Sequence, residues 1–152
     1  MSQPASAALK GQHFTTVELG SLSKLRNYEF HLGELVVHGK AFLGAALGLT
    51  GSEISVNRML PGEAIPFQHA HKKNEEIYLI LSGQGEFEVD GERFPVAEGS
   101  AVRVAPKGER TWRNASKTED LVFVVFQCPE GQYAPGQAGI SDGFLVPKPV
   151  SW

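Results

Sequence analysis

The residues of this chain that could carry chemistry lie close together near its middle. His69 and His71 are separated by one residue, and Glu76 follows five residues after His71. If the histidines lie on a strand, their side chains share one face, because successive strand residues point to opposite faces. If His71 and Glu76 flank the loop of residues 72–75 as an opposed pair, the carboxylate joins them. Two imidazoles and one carboxylate, without a thiolate, suit a divalent transition metal and match the facial triad of iron oxygenases.

Other interpretations of these residues remain open. A His-x-His pair is also found on solvated strand faces, where it binds nothing. Glu75 competes with Glu76 for the carboxylate role, but the hairpin register places Glu75 in the turn, so we favour Glu76. Tyr78 lies two residues beyond Glu76 and therefore shares its face, where it could hydrogen-bond a substrate or simply pack in the wall.

The elements that must position these residues are short strands. From residue 52 onward, apolar runs alternate with Gly, Pro and Asp clusters, and no long helix is indicated. Asp90-Gly91 is the strongest hairpin signal. The pattern predicts an all-β fold, a sandwich or jelly-roll barrel. The predicted strands cover residues 54–60, 67–71, 77–81, 86–89, 92–96, 101–104 and 121–127.

The chain divides into four segments around this barrel. Residues 1–12 are interpreted as a flexible leader, and residues 13–51 as an N-terminal segment that packs on the barrel. Within the latter, Val36-Val37 could form a short strand, and residues 42–49 could form a short strand or a helical turn. Residues 52–128 form the barrel core, and residues 129–152 an extended tail whose aromatic side chains are expected to pack on the barrel.

Two predicted strands, residues 77–81 and 122–126, are apolar on both faces. One face of each must line the interior, and the other needs a cover. A partner subunit would provide one, and so would the N-terminal segment or the C-terminal tail. We favour a homodimer.

Composition limits the function classes. The chain has 152 residues and a net charge of −3, which suits one globular domain and argues against a nucleic-acid partner. No segment has the roughly 18 apolar residues needed to cross a membrane, and no secretory signal is evident. A single cysteine, Cys128, excludes an intramolecular disulfide. The cytoplasm is therefore the default location.

The sequence resembles the small single-domain cupins over residues 52–128. Two motifs carry the resemblance, the first formed by Gly62, His69, His71, Glu76 and Gly83 and the second by Gly99, Pro106, Gly108 and Asn114. The resemblance implies a cupin double-stranded β-helix, usually dimeric, that often holds a divalent transition metal such as Fe, Mn, Ni or Zn.

The second motif departs from the family pattern. It should supply a fourth ligand, a histidine near Arg110 or Thr111, and none is there. The metal could be held by three protein ligands and waters, which leaves open positions for substrate. Gln68 could complete the shell instead. In a third outcome the metal is lost, and Arg110 offers its charge to an anionic ligand.

Arg110 also bears on the ligand. A guanidinium near a divalent cation is unfavourable unless an anion lies between them. If both face the cavity, the ligand carries a carboxylate or phosphate. Alternatively, Arg110 turns outward and pairs with Glu109 or Glu98.

Three functions are compatible with these residues. The first is a metal-dependent oxygenase or isomerase that acts on a small anionic molecule, with Tyr78 and Arg110 orienting the substrate. The second is a non-catalytic domain that binds or senses a small molecule. The third is a metal-free isomerase or epimerase in which His69 or Glu76 is the general base.

Overall fold

Strands carry most of the regular structure in the computed structural model, which describes residues 5–133, 143–150 and 152. A 3₁₀ helix spans Leu22–Asn27, and a single-turn helix, α1, spans Gly44–Leu47. The strands in the described residues are β1 (Ala7–Lys10), β2 (Thr15–Val17), β3 (Glu29–Leu32), β4 (Leu35–His38), β5 (Lys40–Phe42), β6 (Glu53–Met59), β7 (Asn74–Ser82), β8 (Gln84–Val89), β9 (Glu92–Ala97), β10 (Ala101–Val104), β11 (Arg110–Asn114) and β12 (Leu121–Pro129).

Two antiparallel sheets enclose the core. One has the strand order β10-β7-β12-β6-β5, and the other has the order β11-β8-β9. Alternate residues of these strands point inward and exclude water, which is the main source of stability in such a barrel. The all-β jelly-roll prediction is confirmed. The largest buried apolar side chains of the interior belong to Tyr78, Ile80, Phe87, Trp112, Leu121 and Phe123.

Most predicted strands are present with small changes at their ends. The Asp90-Gly91 turn joins β8 to β9, with Val89 paired to Glu92. Both turn residues have positive φ, 51° and 85°, as a two-residue type I′ hairpin requires. The hairpin prediction is therefore confirmed.

The predicted strand at residues 67–71 and its hairpin with β7 are wrong. This segment makes only an isolated bridge, between His69 and Arg110, and the His71 amide donates to the carbonyl of Pro106. It therefore lies beside β11, whereas β7 belongs to the other sheet. The chain crosses between the sheets just before Asn74, so His71 and Glu76 approach each other across the barrel and not across a hairpin.

The N-terminal segment covers part of the larger sheet. Leu25 of the 3₁₀ helix is fully buried against Ala41 and Val56, and Val124 of β12 packs on this cluster. Residues 42–49, for which strand and helix were both open, contain the end of β5 followed by α1. β1, which lies within the predicted leader, pairs with β2.

The other end of the chain differs from expectation. Phe144 is 86 % exposed and Trp152 is fully exposed, so these aromatic side chains do not pack on the barrel. Residues 134–142 and 151 of the predicted tail lie outside the described residues. No helix in the described part of the chain is long and apolar enough to span a membrane.

Candidate metal centre

Backbone hydrogen bonds hold the two histidines in place. His69 and Arg110 exchange amide-to-carbonyl bonds of 3.1 and 3.0 Å, and the His71 amide donates to Pro106 at 2.7 Å. Glu76 and Tyr78 are alternate residues of β7, so both point into the barrel, where they are 3 % and 0 % exposed. Thus one sheet supplies the carboxylate, and the segment beside the other sheet supplies both imidazoles.

The structure brings the three predicted ligands together. One donor atom from each of His69, His71 and Glu76 lies within 4.8 Å of the others. Nε2 of His71 is 3.2 Å from Oε1 of Glu76, and Nε2 of His69 is 3.7 Å from Oε2. These distances give a compact set of two nitrogens and a carboxylate with the composition expected for a divalent transition metal.

Two alternatives for the ligand set are separated from this cluster. Glu75 accepts a 2.6 Å hydrogen bond from Arg103 and is not among the clustered donors. Gln68 donates to Glu88 at 2.8 Å in an exposed contact. Neither side chain is placed to complete a shell with the histidines.

Arg110 lies inside the barrel and is fully buried. Its Nη2 and Nε donate to Oε2 of Glu76 at 2.6 and 3.1 Å, and its Nη1 donates to the carbonyl of Gly108 at 2.8 Å. The outward-facing alternative, with a partner at Glu98 or Glu109, is not the geometry observed. Arg110 neutralises the Glu76 charge and occupies one of its two oxygens.

Tyr78 also acts on Glu76. Its hydroxyl donates to the same Oε2 at 2.5 Å, so that oxygen accepts bonds from two side chains. Oε1, which faces His71, is left as the oxygen available to a metal ion. A carboxylate fixed in this way is oriented before any ligand arrives, as outer partners commonly orient metal-binding side chains.

The electrostatics keep Glu76 and His71 in the forms that can bind a metal ion. Burial alone would raise the pKa of Glu76, but interactions with His69, Tyr78 and Arg110 outweigh it and hold that pKa well below its ordinary range. Burial lowers the pKa of the His71 imidazole despite the adjacent carboxylate. Burial, and then the Glu76 charge, raise the pKa of Tyr78. A charged carboxylate, a neutral imidazole and a protonated phenol are the forms that these shifts favour at neutral pH.

The residues fit a metal ion on a further observation. Nδ1 of His69 is buried and has no hydrogen-bond partner within the described structure, and Nε2 of His71 makes no well-aligned hydrogen bond although Oε1 of Glu76 lies 3.2 Å away. Unpaired buried polar atoms are costly and uncommon. A divalent cation beside Oε1 of Glu76 would bind Nε2 of His71. We therefore conclude that the donor set suits such an ion.

The cluster opens onto a cavity of about 310 Å³. Its walls are largely apolar and include Met59, Phe67 and Phe123 of the barrel and Phe30 and Leu32 of the β3–β4 hairpin. A cavity of this size and lining, with a few polar groups, is typical of a small-molecule site.

Two contributors to this cavity were not assigned to it from the sequence. Lys40 lines it from β5, and the β3–β4 hairpin closes one side. Gly39, between them, has a φ of 81°, and a side chain there would collide with the carbonyl of Arg58. The possible short strand at Val36-Val37 lies in β4 of this hairpin, whereas β3 was not predicted.

Comparison with known proteins agrees with the barrel fold. A family model described as a cupin domain matches residues 55–126. A crystal structure of a cupin protein from Bacteroides fragilis is 33 % identical, and the alignment covers 77 % of this chain and 97 % of that one, with a TM-score of 0.65.

Two further matches are partial. A crystal structure from Acidithiobacillus ferrooxidans, described as a "Putative sugar phosphate isomerase", is 29 % identical with a TM-score of 0.53, and the alignment covers 59 % of this chain and 57 % of that one. An uncharacterised protein from Methanocaldococcus jannaschii is 44 % identical over 39 residues, which are 26 % of this chain and 31 % of that protein. The chain thus spans about a third of that curated relative. Together with the barrel, the match over nearly the whole Bacteroides protein shows that this chain belongs to the cupin family.

Proposed function

We propose that the protein binds one divalent transition metal through His69, His71 and Glu76 and acts on a small anionic molecule in the adjoining cavity. The observation that carries the proposal is the convergence of the three donors on the cavity wall, with Nε2 of His71 buried beside Oε1 of Glu76. The metal is one of Fe, Mn, Ni or Zn, because two imidazoles and a carboxylate accept all of these.

The reaction we favour is an isomerisation. When bound, a divalent ion supplies Lewis-acid polarisation of a substrate carbonyl or hydroxyl oxygen. The apolar walls exclude water from the substrate. The hydrogen bonds that Tyr78 and Arg110 donate to Oε2 of Glu76 hold the carboxylate, and with it Oε1, in position. The likeness to the Acidithiobacillus protein supports this choice of reaction class.

Tyr78 and Arg110 take a different role from the one expected from sequence. Both hydrogen-bond to Glu76, and Arg110 is wholly buried, so their contacts support a positioning role over direct substrate binding. The same contacts disfavour Glu76 as the general base of a metal-free enzyme, because its pKa is held low and one oxygen is occupied.

An oxygenase is the second candidate. It is favoured by the donor set itself, because two histidines and one carboxylate with open positions are typical of non-haem iron oxygenases. Uptake of dioxygen by the iron-loaded protein would distinguish it from the isomerase. A non-catalytic binding or sensing domain is the outcome if metal and ligand bind and neither reaction is found.

Elemental analysis of protein purified without an affinity tag or chelator tests the metal site. We expect about one equivalent of a transition metal in the wild type and less than about a tenth in His71→Ala, with both proteins folded by circular dichroism. His31→Ala is the matched control, because His31 is exposed on β3 and contacts only Glu29 among its possible ion-pair partners in the described residues. Full metal retention in His71→Ala would overturn the proposed ligand set.

We further propose that the protein is a cytoplasmic homodimer. Support for the dimer comes from β7, whose outward-facing side chains Ile77, Leu79 and Leu81 are apolar and at least partly exposed. The N-terminal segment covers β5, β6 and part of β12 but leaves this strip accessible. A partner subunit is the cover that we expect for it.

A further inference from the structure

A second polar cluster lies in the wall of the cavity. Lys40 is paired with Asn57 across the β5–β6 ladder, and its Nζ donates to Ser55 Oγ at 3.1 Å and to Asn57 Oδ1 at 3.2 Å. Ser55 and Asn57 are 2 % and 5 % exposed, so the ammonium is held by two buried acceptors. It also lies 4.8 Å from the centre of the Phe42 ring. A lysine fixed by three neighbours has lost much of its rotational freedom before a ligand binds.

Lys40 retains unused binding capacity. An ammonium has three donors, and two of them are used by Ser55 and Asn57. No carboxylate of the described residues lies within 4.0 Å of its Nζ. Glu53, one of the two acids whose charge acts on Lys40, instead accepts hydrogen bonds from the backbone amides of Gly44 and Ile54. One N–H of Lys40 is therefore available to an acceptor that the protein does not provide.

Strand pairing relates Lys40 to the metal centre. Val125 of β12 is paired with Ser55 on one side and with Tyr78 on the other. Adjacent strands are about 4.8 Å apart, so Ser55 and Tyr78 stand about 10 Å apart in one row of the sheet. Both Lys40 and the metal cluster line the same cavity, with apolar side chains such as Phe123 between them. One small molecule with two polar ends could therefore contact both groups.

The charges around the cavity favour an anion. Glu76 is the acidic residue of its lining, and Arg110 neutralises that carboxylate. Arg58, another lining residue, is paired with Asp120. Lys40 therefore leaves the cavity with uncompensated positive charge, to which a divalent metal would add. Burial lowers the pKa of Lys40 to about 8 although Glu76 and Glu53 oppose the shift, so the ammonium predominates at neutral pH.

We propose that Lys40 is the anion-recognition residue of this site, and that it binds a carboxylate or phosphate group at one end of the ligand while the other end reaches the metal centre. The inference deepens the proposed function and rests on it. It assigns the ligand to small oxyanion-bearing molecules with an oxygen donor a few bonds from the anionic group. Lysine suits such a group as a point charge, and the apolar surroundings strengthen the attraction.

Calorimetric titration with defined probes tests this assignment. The probes are phosphoglycolate, succinate, inorganic phosphate and uncharged glycerol, added to the metal-loaded protein. We expect phosphoglycolate or succinate to bind to the wild type and glycerol not to bind. Lys40→Met and Lys40→Gln should each weaken binding about tenfold or more, and Lys40→Arg should retain most of it. Lys24→Met is the control for loss of one positive charge, because Lys24 is exposed on the 3₁₀ helix.

The outcomes are distinguishable from those for the metal centre. Metal content is measured in every variant and should not change in the Lys40 series, which also verifies that the barrel is folded. Preference for phosphoglycolate and inorganic phosphate would assign a phosphate ligand, and preference for succinate a carboxylate. Unchanged anion affinity in metal-loaded Lys40→Met, or no anion binding to the wild type, would overturn the inference. Lys40-dependent binding to a wild type that never retains metal would overturn the proposed function alone.

Discussion

Replacing Arg110 with methionine should destabilise the barrel far more than the loss of a surface charge. Methionine keeps much of the aliphatic volume but removes the guanidinium, which is 0 % exposed and donates two bonds to Glu76 and one to Gly108. Removing one partner of a buried pair leaves an uncompensated charge, which typically costs about 3–5 kcal/mol. The Tyr78 hydroxyl still donates to Glu76, so we expect a value near the lower end, about 3 kcal/mol.

The assay is thermal and urea unfolding in the presence of a chelator, followed by circular dichroism. For a domain of this length, about 3 kcal/mol lowers the melting temperature by about 10 °C. Arg103→Met is the matched control. Arg103 forms two ion pairs, with Glu75 and Glu130, but its side chain is 53 % exposed, so its loss should destabilise the protein far less than the loss of Arg110.

A double-mutant cycle isolates the pair. Glu76→Gln in the Arg110→Met background removes the charge that had lost its partner, so the double variant should be more stable than the sum of the two single changes predicts, by about 2 kcal/mol. Additive effects, or a loss in Arg110→Met no larger than that in Arg103→Met, would refute the conclusion that the buried guanidinium is needed to hold Glu76 as a carboxylate.

Three further predictions concern other parts of the molecule. Tyr78→Phe removes the hydroxyl that fixes Glu76, and we expect metal affinity to fall about tenfold in a competitive chelator titration, whereas unchanged affinity would exclude the positioning role. Leu81→Lys adds a charge to the exposed apolar strip of β7, which should convert a dimer to a monomer in light scattering after gel filtration; a wild type that is already monomeric would contradict the dimer. Because the pKa of Lys40 is lowered to about 8, its ammonium is lost as pH rises, and phosphoglycolate affinity should fall about tenfold between pH 7 and pH 9. Lys40→Arg should bind with no such decline, and a flat wild-type profile would count against Lys40.

The cluster of two histidines and a glutamate could be predicted because its signals are local and chemical. His69, His71 and Glu76 are close in sequence and belong to residue types with few reasons to lie inside a barrel. The convergence was correct although the proposed hairpin was not. The reason is that inward-facing residues meet across the interior whether or not their strands are neighbours.

β11 was missed because only one of its three inward positions, Trp112, is apolar. Arg110 and Asn114 occupy two of them, so the hydrophobic alternation that identifies a strand is absent. Their burial is compensated by long-range hydrogen bonds, from Arg110 to Glu76 and from Asn114 to the carbonyls of Met59 and Glu119. Such partners are known only once the chain is folded.

Lys40 was missed for a related reason. A lysine next to a glycine in a short, mixed segment is usually a surface residue. Its position depends on pairing between β5 and β6 and on the β3–β4 hairpin that closes the cavity beside it. None of these contacts follows from the residues adjacent to Lys40 in the chain.

The β3–β4 hairpin and the proposed metal ligands lie in separate parts of the sequence. The residues proposed to hold the metal all lie within the stretch shared with other cupin domains, residues 55–126, whereas the hairpin and Lys40 precede it. On the proposed assignment, substitutions in the hairpin should change which molecule is accepted without disturbing the metal ion. A chimera that receives residues 28–42 from another cupin should inherit the donor's ligand preference and keep the recipient's metal, which makes this short segment a natural target for redesign.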